Sequence, residues 1–501
     1  MGTSDTTGTR VVDERGGHVR QSDAFTWNME RDPLLRSTIV AVATFDRAPD
    51  WDQLVDRMDR ASRLAPNFRR RLVPSPLRLA PPRFVPAPDF DLEWHVRRIT
   101  APPPHTFATV LEFARNAGMA AFDPARPLWE CTLVDGLEDG GAAVVLKVHH
   151  SLTDGIGGIQ LTRHLVDLEP DAPGLGPMPD LPDRDRGDGS SGRLSDLGEA
   201  LGWDVRYLVS AGLRRLGRVP ADVVHAVGHP GDAVSGVLDD VRSVAAFVRP
   251  VTRTLSPVMT RRRLAWHFET IETGTADLKR AGHAAGGSLN DAFLGGVTGG
   301  LRRYHRELGQ PIDRLMLTMP ISLRAEDDPE GGNRVTIVRF EVPVATVDPV
   351  ARMRGIKEAC ERERHEPALA YSEWIAGVMN LMPPAVIGGM LKHVDFLASN
   401  VPGLTDTVWL AGARLEGFYA FGPTLGASAN VTLMSYGDRC CIGVNVDTGA
   451  VSRPDVFVDC LVAGFEEVLD VGGEHGPVVA YGRPASAPGE PASPRRPGTT
   501  A

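Results

Sequence analysis

The sequence predicts an α/β (α+β) protein built as two units joined by a crossover. Three observations carry that prediction. A length of 501 residues exceeds one average domain and leaves room for more than one buried core. Strand-like and helix-like patterns alternate in both halves of the chain, which favours mixed layers over a bundle or a sandwich. Between the halves, residues 169–195 are dense in Pro, Gly and Asp and cannot bury enough apolar surface to fold alone. The divisions read as a disordered 1–20, a first unit at 21–168, a crossover with a helical segment at 169–258, a second unit at 259–471 and a mostly disordered tail at 472–501.

Taken in order, residues 37–45 (STIVAVATF) are β-branched and alternating, as a strand requires. Asp50 is placed to cap a following helix whose apolar positions are Trp51, Leu54, Val55, Met58 and Ala61. A Pro-rich connector (Pro74 to Pro88) leads to a strand-like 92–99 and a helix from about 106 to 119. Strands at 129–136 and 142–150 flank EDGG at 138–141, a hairpin turn. A helix then starts near Ile156 and runs to about Leu168. Helical periodicity dominates 196–258 and mixed signals fill the remainder to about 471. In the helical stretch, Leu197, Leu201, Val205, Leu208, Gly212 and Leu216 form one apolar stripe, with Trp203 and Tyr207 nearby. The stripe reads as core packing, with a lipid surface as the alternative.

Charge and composition exclude several functions. A net charge of −10 argues against a nucleic-acid protein, whose affinity would rest on a basic footprint. Small molecules are the expected partners. No stretch approaches the roughly 18 uninterrupted apolar residues of a spanning helix, and the N-terminus lacks a secretory h-region. The expected location is the cytoplasm. The cysteines (Cys131, Cys360, Cys440, Cys441 and Cys460) show no metal-binding spacing and are odd in number, so they read as small buried residues.

The chemistry concentrates in KVHHSLTDGIGG, where His149, His150, Asp154, Gly155, Gly157 and Gly158 fall at the end of an apolar strand and the start of a helix. Successive strand residues point to opposite faces, so the two histidines cannot enter one cavity. One should be a base and the other a support. A neutral imidazole can take a proton from a hydroxyl at neutral pH, and the glycines allow a tight turn with close approach to the backbone. Backbone N–H groups near Gly155 to Gly158 are candidate oxyanion donors. Adjacent histidines on opposite faces do not share a metal ion, so no metal and no cofactor is expected.

HHSLTDG resembles the HHxxxDG motif of the superfamily that includes chloramphenicol acetyltransferase, nonribosomal peptide condensation domains and the bacterial wax ester synthase/diacylglycerol acyltransferases. Further segments resemble the last group. They are Arg126-Pro127-Leu128-Trp129 (PLW), Ser288-Leu289-Asn290-Asp291 (ND), Pro320 to Arg324 (PxSLR), Gly332-Asn333-Arg334 (GN) and Ser399 to Gly403 (SNVPG). Two departures stand out: QSDAFTW lacks the fuller LSPxD pattern, and the turn reads NVPGL rather than NVPGP.

The resemblance implies two chloramphenicol-acetyltransferase-like domains with mixed sheets flanked by helices, and an active-site channel between them. It selects His150 as the base and implies a salt bridge for Asp154, with Arg324 the candidate partner and Arg334 the reserve. Asn290 and Asp291 are expected to support the site, although Asn290 also reads as a helix cap; Trp129 reads as packing. The implied reaction is transfer of an acyl group from acyl-CoA, the co-substrate, to a long-chain alcohol or diacylglycerol, with peripheral contact to the inner membrane face or a lipid droplet. Two alternatives stand beside it. One is condensation on a carrier-protein thioester, which calls for carrier or adenylation segments that these residues do not contain. The other is a non-catalytic binding protein, which would not require an intact HHxxxDG.

Overall fold

The alternation at 37–45 builds a strand: in the computed structural model of the chain, β1 spans Thr38–Phe45 with Val40 and Val42 fully buried. The structure describes residues 19–75, 80–153, 155–170, 175–181, 253–322, 335–364 and 391–482, with 380 and 389. A helix, α1 (Gln21–Met29), precedes β1. Asp50 caps α2 (Trp51–Leu64) by accepting the Gln53 N–H at 3.0 Å, and Leu54, Met58 and Ala61 turn inward. α4 (Phe107–Met119), β5 (Trp129–Asp135) and β6 (Ala142–His149) follow close to their expected bounds. The turn between β5 and β6 is tied by the Gly141 N–H to Asp139 Oδ1 at 2.9 Å.

Several expectations change. The strand-like 92–99 begins as a short helix, α3 (Leu92–His95), because Asp91 caps it through the Glu93 N–H; the strand proper is β4 (Val96–Thr100). The Pro-rich connector carries β3 (Arg83–Pro86), which pairs with β2 (Arg70–Val73) and buries Leu72. The helix after the motif, α5 (Gly155–Arg163), stops short of Leu168. Arg57 draws the chain beyond it into an extended path, donating to the Leu165 carbonyl at 2.7 Å and pairing with the buried Asp167. The striped segment at 196–218 lies outside the described residues.

The first sheet runs β11 (Trp409–Leu410), β12 (Ala413–Phe421), β1, β6, β5, β4. Two of its strands therefore come from the second half, which corrects the clean division at 168 and 259. The physical reason is that β1, with one flank on β6, would otherwise present an unpaired edge; β12 covers it in antiparallel register. The second sheet runs β15 (Val479–Tyr481), β7 (Trp266–Gly274), β14 (Arg439–Asp447), β13 (Ala429–Tyr436), β10 (Phe396–Leu404), β8 (Arg314–Ser322), β9 (Val335–Pro343). β15 lies in what the sequence presents as tail, and pairing with β7 gives it an ordered place.

Helices α6 (Thr275–Ala284), α7 (Leu289–Glu307), α8 (Pro349–Arg364) and α9 (Pro454–Leu469) accompany the second sheet. α7 and α9 approach so closely that a Cβ on Gly464 would lie 2.4 Å from the Gly296 carbonyl oxygen. Only glycine fits there. The two sheets meet where β12 crosses: the Phe421 and Phe268 rings stack at 4.2 Å, and the Tyr419 hydroxyl donates to Glu272.

Candidate active site

β6 delivers its last residue, His149, onto the face that also carries Lys147 and, across the register, Thr38 and Val40. His149 is 0% exposed. The Ser151 N–H donates to its Nδ1 at 3.1 Å, and the Ser151 hydroxyl lies 2.7 Å from the same atom. A backbone N–H can only donate, so Nδ1 accepts and the ring proton sits on Nε2. That Nε2 lies 3.1 Å from Glu30 Oε1, and the Trp27 and Phe122 rings meet the imidazole edge-on at 5.6 and 6.0 Å. Both nitrogens are committed. Glu30 Oε1 also accepts the Ser37 N–H at 2.6 Å, which ties α1, the start of β1 and the end of β6 into one knot.

His150 leaves the sheet on the other face. Its N–H donates to the Ser37 carbonyl at 3.0 Å, its ring is half-buried, and its Nδ1 is shielded from solvent. The chain then turns into α5, which packs on β10, the strand that carries Ser399 to Gly403. Segments some 240 residues apart are thereby joined beside the histidines. Gly403 fits because a Cβ there would lie 1.8 Å from the Ser435 carbonyl oxygen. At Gly158, in contrast, no atom of the described residues lies within 4 Å of an added Cβ. Gly155 and Gly157 lie on the same helix.

The other predicted residues divide as follows. The cap of α7 is Ser288, not Asn290: the Asp291 N–H donates to Ser288 Oγ at 3.4 Å, and the Ser288 N–H donates to Asp291 Oδ2 at 2.7 Å. Asp291 thus spends its carboxylate on starting α7, and Asn290 sits half-buried in the first turn. Asp154, Arg324 and Arg334 lie outside the described residues.

Leu128 and Trp129 are fully buried; the indole N–H donates to the Phe68 carbonyl at 2.8 Å and the ring stacks on His95 at 4.5 Å. Burial drives the His95 pKa down to about 4, the hydrogen bond with the Trp129 carbonyl opposing it. On the His149 face, Lys147 pairs with Glu130 at 3.0 Å and lies 4.2 Å over the Phe122 ring; burial lowers its pKa against the pull of Glu130. A cavity of about 190 Å³ opens beside it, lined by Arg97, Asn116, Thr132 and Val145 among others.

Sequence reasoning missed Glu30, Ser37 and Trp27. Each lies more than 110 positions before the histidines and belongs to no spaced motif, so only the folded register reveals them.

Solved structures share this two-sheet arrangement. A wax ester synthase/diacylglycerol acyltransferase from Marinobacter aquaeolei superposes with a TM-score of 0.59 at 21% identity, covering 91% of this chain and 100% of that one. The first condensation domain of the calcium-dependent antibiotic synthetase follows at 0.57 and 13% identity, covering 93% and 97%. The fold is the one these acyltransferase and condensation-domain structures share. Residues 19–293 match the wax ester synthase/diacylglycerol acyltransferase catalytic domain, and residues 331–468 match the C-terminal domain of the same group. A Mycobacterium tuberculosis protein named as a diacylglycerol O-acyltransferase is 39% identical over 457 residues, 90% of this chain and 91% of its own. A second so named, from the same organism, is 27% identical over 460 residues, 87% of this chain and 92% of its own. The chain belongs to the wax ester synthase/diacylglycerol acyltransferase family and is an acyltransferase.

Proposed function

We propose that the protein esterifies a long-chain alcohol or a diacylglycerol with an acyl group from acyl-CoA, and that His150 is the general base. The observation that carries this reading is the asymmetry of the histidine pair: His149 has both ring nitrogens committed, while His150 stands on the opposite face, beside the turn into α5. His150 takes the proton of the acceptor hydroxyl as its oxygen bonds to the thioester carbon. The tetrahedral centre then collapses, the C–S bond breaks with its electrons on sulfur, and the proton passes from His150 to the CoA thiolate. One base serves both steps when the two substrates are held in contact, so no acyl-enzyme is required.

Asp154 is assigned to shaping the turn, with Arg324 as its partner, and the backbone at Gly155 to Gly158 to approaching the substrate. No helix among the described residues is long and apolar enough to cross a membrane. Water-insoluble acceptors are therefore expected to reach the enzyme by peripheral contact with a membrane or droplet. The test is purified protein with palmitoyl-CoA and a panel of alcohols, diacylglycerols and amines, scored for CoA release and product. Ester formation with alcohols or diacylglycerols supports the reading; release only with amines, or none, overturns it.

A further inference from the structure

Ser37 sits at the entrance to β1, directly across from His150. The register pairs Thr38 with His149, which places Ser37 opposite His150, and the His150 N–H donates to the Ser37 carbonyl at 3.0 Å. Residues paired in this way project to the same face with Cβ atoms about 4.5–5.5 Å apart. Ser37 is 1% exposed, and its Oγ has no hydrogen-bond partner among the described residues. A buried hydroxyl without a partner is costly, and native proteins rarely keep one unless something absent satisfies it.

The backbone around that hydroxyl is held on both sides. The Ser37 N–H is fixed by Glu30 at 2.6 Å and its carbonyl by His150. Thr38 Oγ1 is also buried and without a partner among the described residues, but its register places it with His149, whose nitrogens are spent. Of these two hydroxyls, Ser37's shares a face with His150, the histidine proposed as the base.

We propose that Ser37 is a further catalytic residue, whose hydroxyl donates a hydrogen bond to the thioester carbonyl oxygen as that oxygen takes negative charge. This rests on the acyl-transfer reading above. As the acceptor oxygen bonds to the thioester carbon, the carbonyl π electrons move onto oxygen and Ser37 Oγ–H meets the growing charge. When the C–S bond breaks, the electrons return to the carbonyl and the hydrogen bond relaxes. Ser37 loses no proton, and the only proton transferred travels through His150. Its donor role is preorganised by the two backbone bonds, the condition under which such donors act most strongly.

The experiment compares wild type, Ser37→Ala and Ser37→Cys with palmitoyl-CoA and the best acceptor. Losing one oxyanion donor typically lowers kcat by about 10²–10³ with KM little changed, because the interaction forms only in the transition state. Ser37→Ala should show that loss with an unchanged or raised Tm, since a packing residue with an unsatisfied hydroxyl gains by losing it. Ser37→Cys, a weak donor of similar shape, should fall between the two and decides the matter if the alanine variant does not fold. A folded variant of either kind with kcat within about 3-fold of wild type overturns the assignment. Wild type inactive with every acceptor overturns the acyl-transfer reading, and the role of Ser37 with it.

Discussion

The two faces at the end of β6 are built to opposite standards. On the His149 face both ring nitrogens have partners, two aromatic edges close in, and Lys147 is matched by Glu130. On the His150 face the Ser37 hydroxyl has no partner among the described residues, as Thr38 Oγ1 has none on the other, but there it lies across from the histidine proposed as the base. Satisfied polar groups hold a shape; unsatisfied ones in a shaped site await a ligand. The contrast separates the histidine that builds the strand end from the one proposed as the base, although the two are adjacent in sequence.

The strongest way to break that contrast is to change the turn while keeping both histidines. On the proposed pairing with Arg324, Asp154→Asn should lower stability by about 3–5 kcal/mol, the usual result of removing one partner from a buried ion pair, and activity should fall with it. Thermal melting and turnover on the same preparation check this. An unshifted Tm with activity gone would give Asp154 a direct catalytic role.

A third histidine supplies a control. His95 is buried against Trp129 with its pKa held at about 4, so the folded protein keeps it neutral where the unfolded chain would protonate it. Above pH 6.5 both states are neutral and the full stability is present. Between 6.5 and 4 the unfolded state binds the extra proton, and stability falls by about 3 kcal/mol. Chemical denaturation across that window should show the decline, and His95→Phe should flatten it. An equal slope in the variant would move the effect elsewhere.

The smallest effect sharpens the open side of the comparison. Gly158 meets no steric limit among the described residues, so Gly158→Ala should stabilise α5 by about 0.5–1 kcal/mol through helix propensity alone. A loss of stability would mean that the space is occupied in the folded protein.

Much of this was legible in the sequence because its signals are local. β1 alternates, Asp50 caps α2, and the apolar run into His149 and His150 ends in glycines, so element and motif coincide. What could not be read is what the register brings from afar. β12 pairs with β1 across 370 residues or more, with no periodicity to announce it. Glu30 reads as an ordinary surface acid in NMERD until the fold places it on His149. Ser288 and Asn290 both suit a cap, and the reciprocal bond with Asp291 decides for Ser288. The PLW segment could be read correctly as packing, because a tryptophan at a strand entrance has a large area to bury.

The central claim is that adjacent histidines have separate duties, and paired alanine substitutions test it most directly. Turnover with saturating substrates and Tm would be measured for His150→Ala and His149→Ala together. His150→Ala should lose about 10² to 10⁴ in kcat with its fold intact. His149→Ala should lose about 1.5–3 kcal/mol of stability, as Glu30 and Ser151 lose their partner, with a smaller effect on turnover. Full turnover in His150→Ala, or a kinetic loss in His149→Ala that equals it without any change in Tm, would contradict the account.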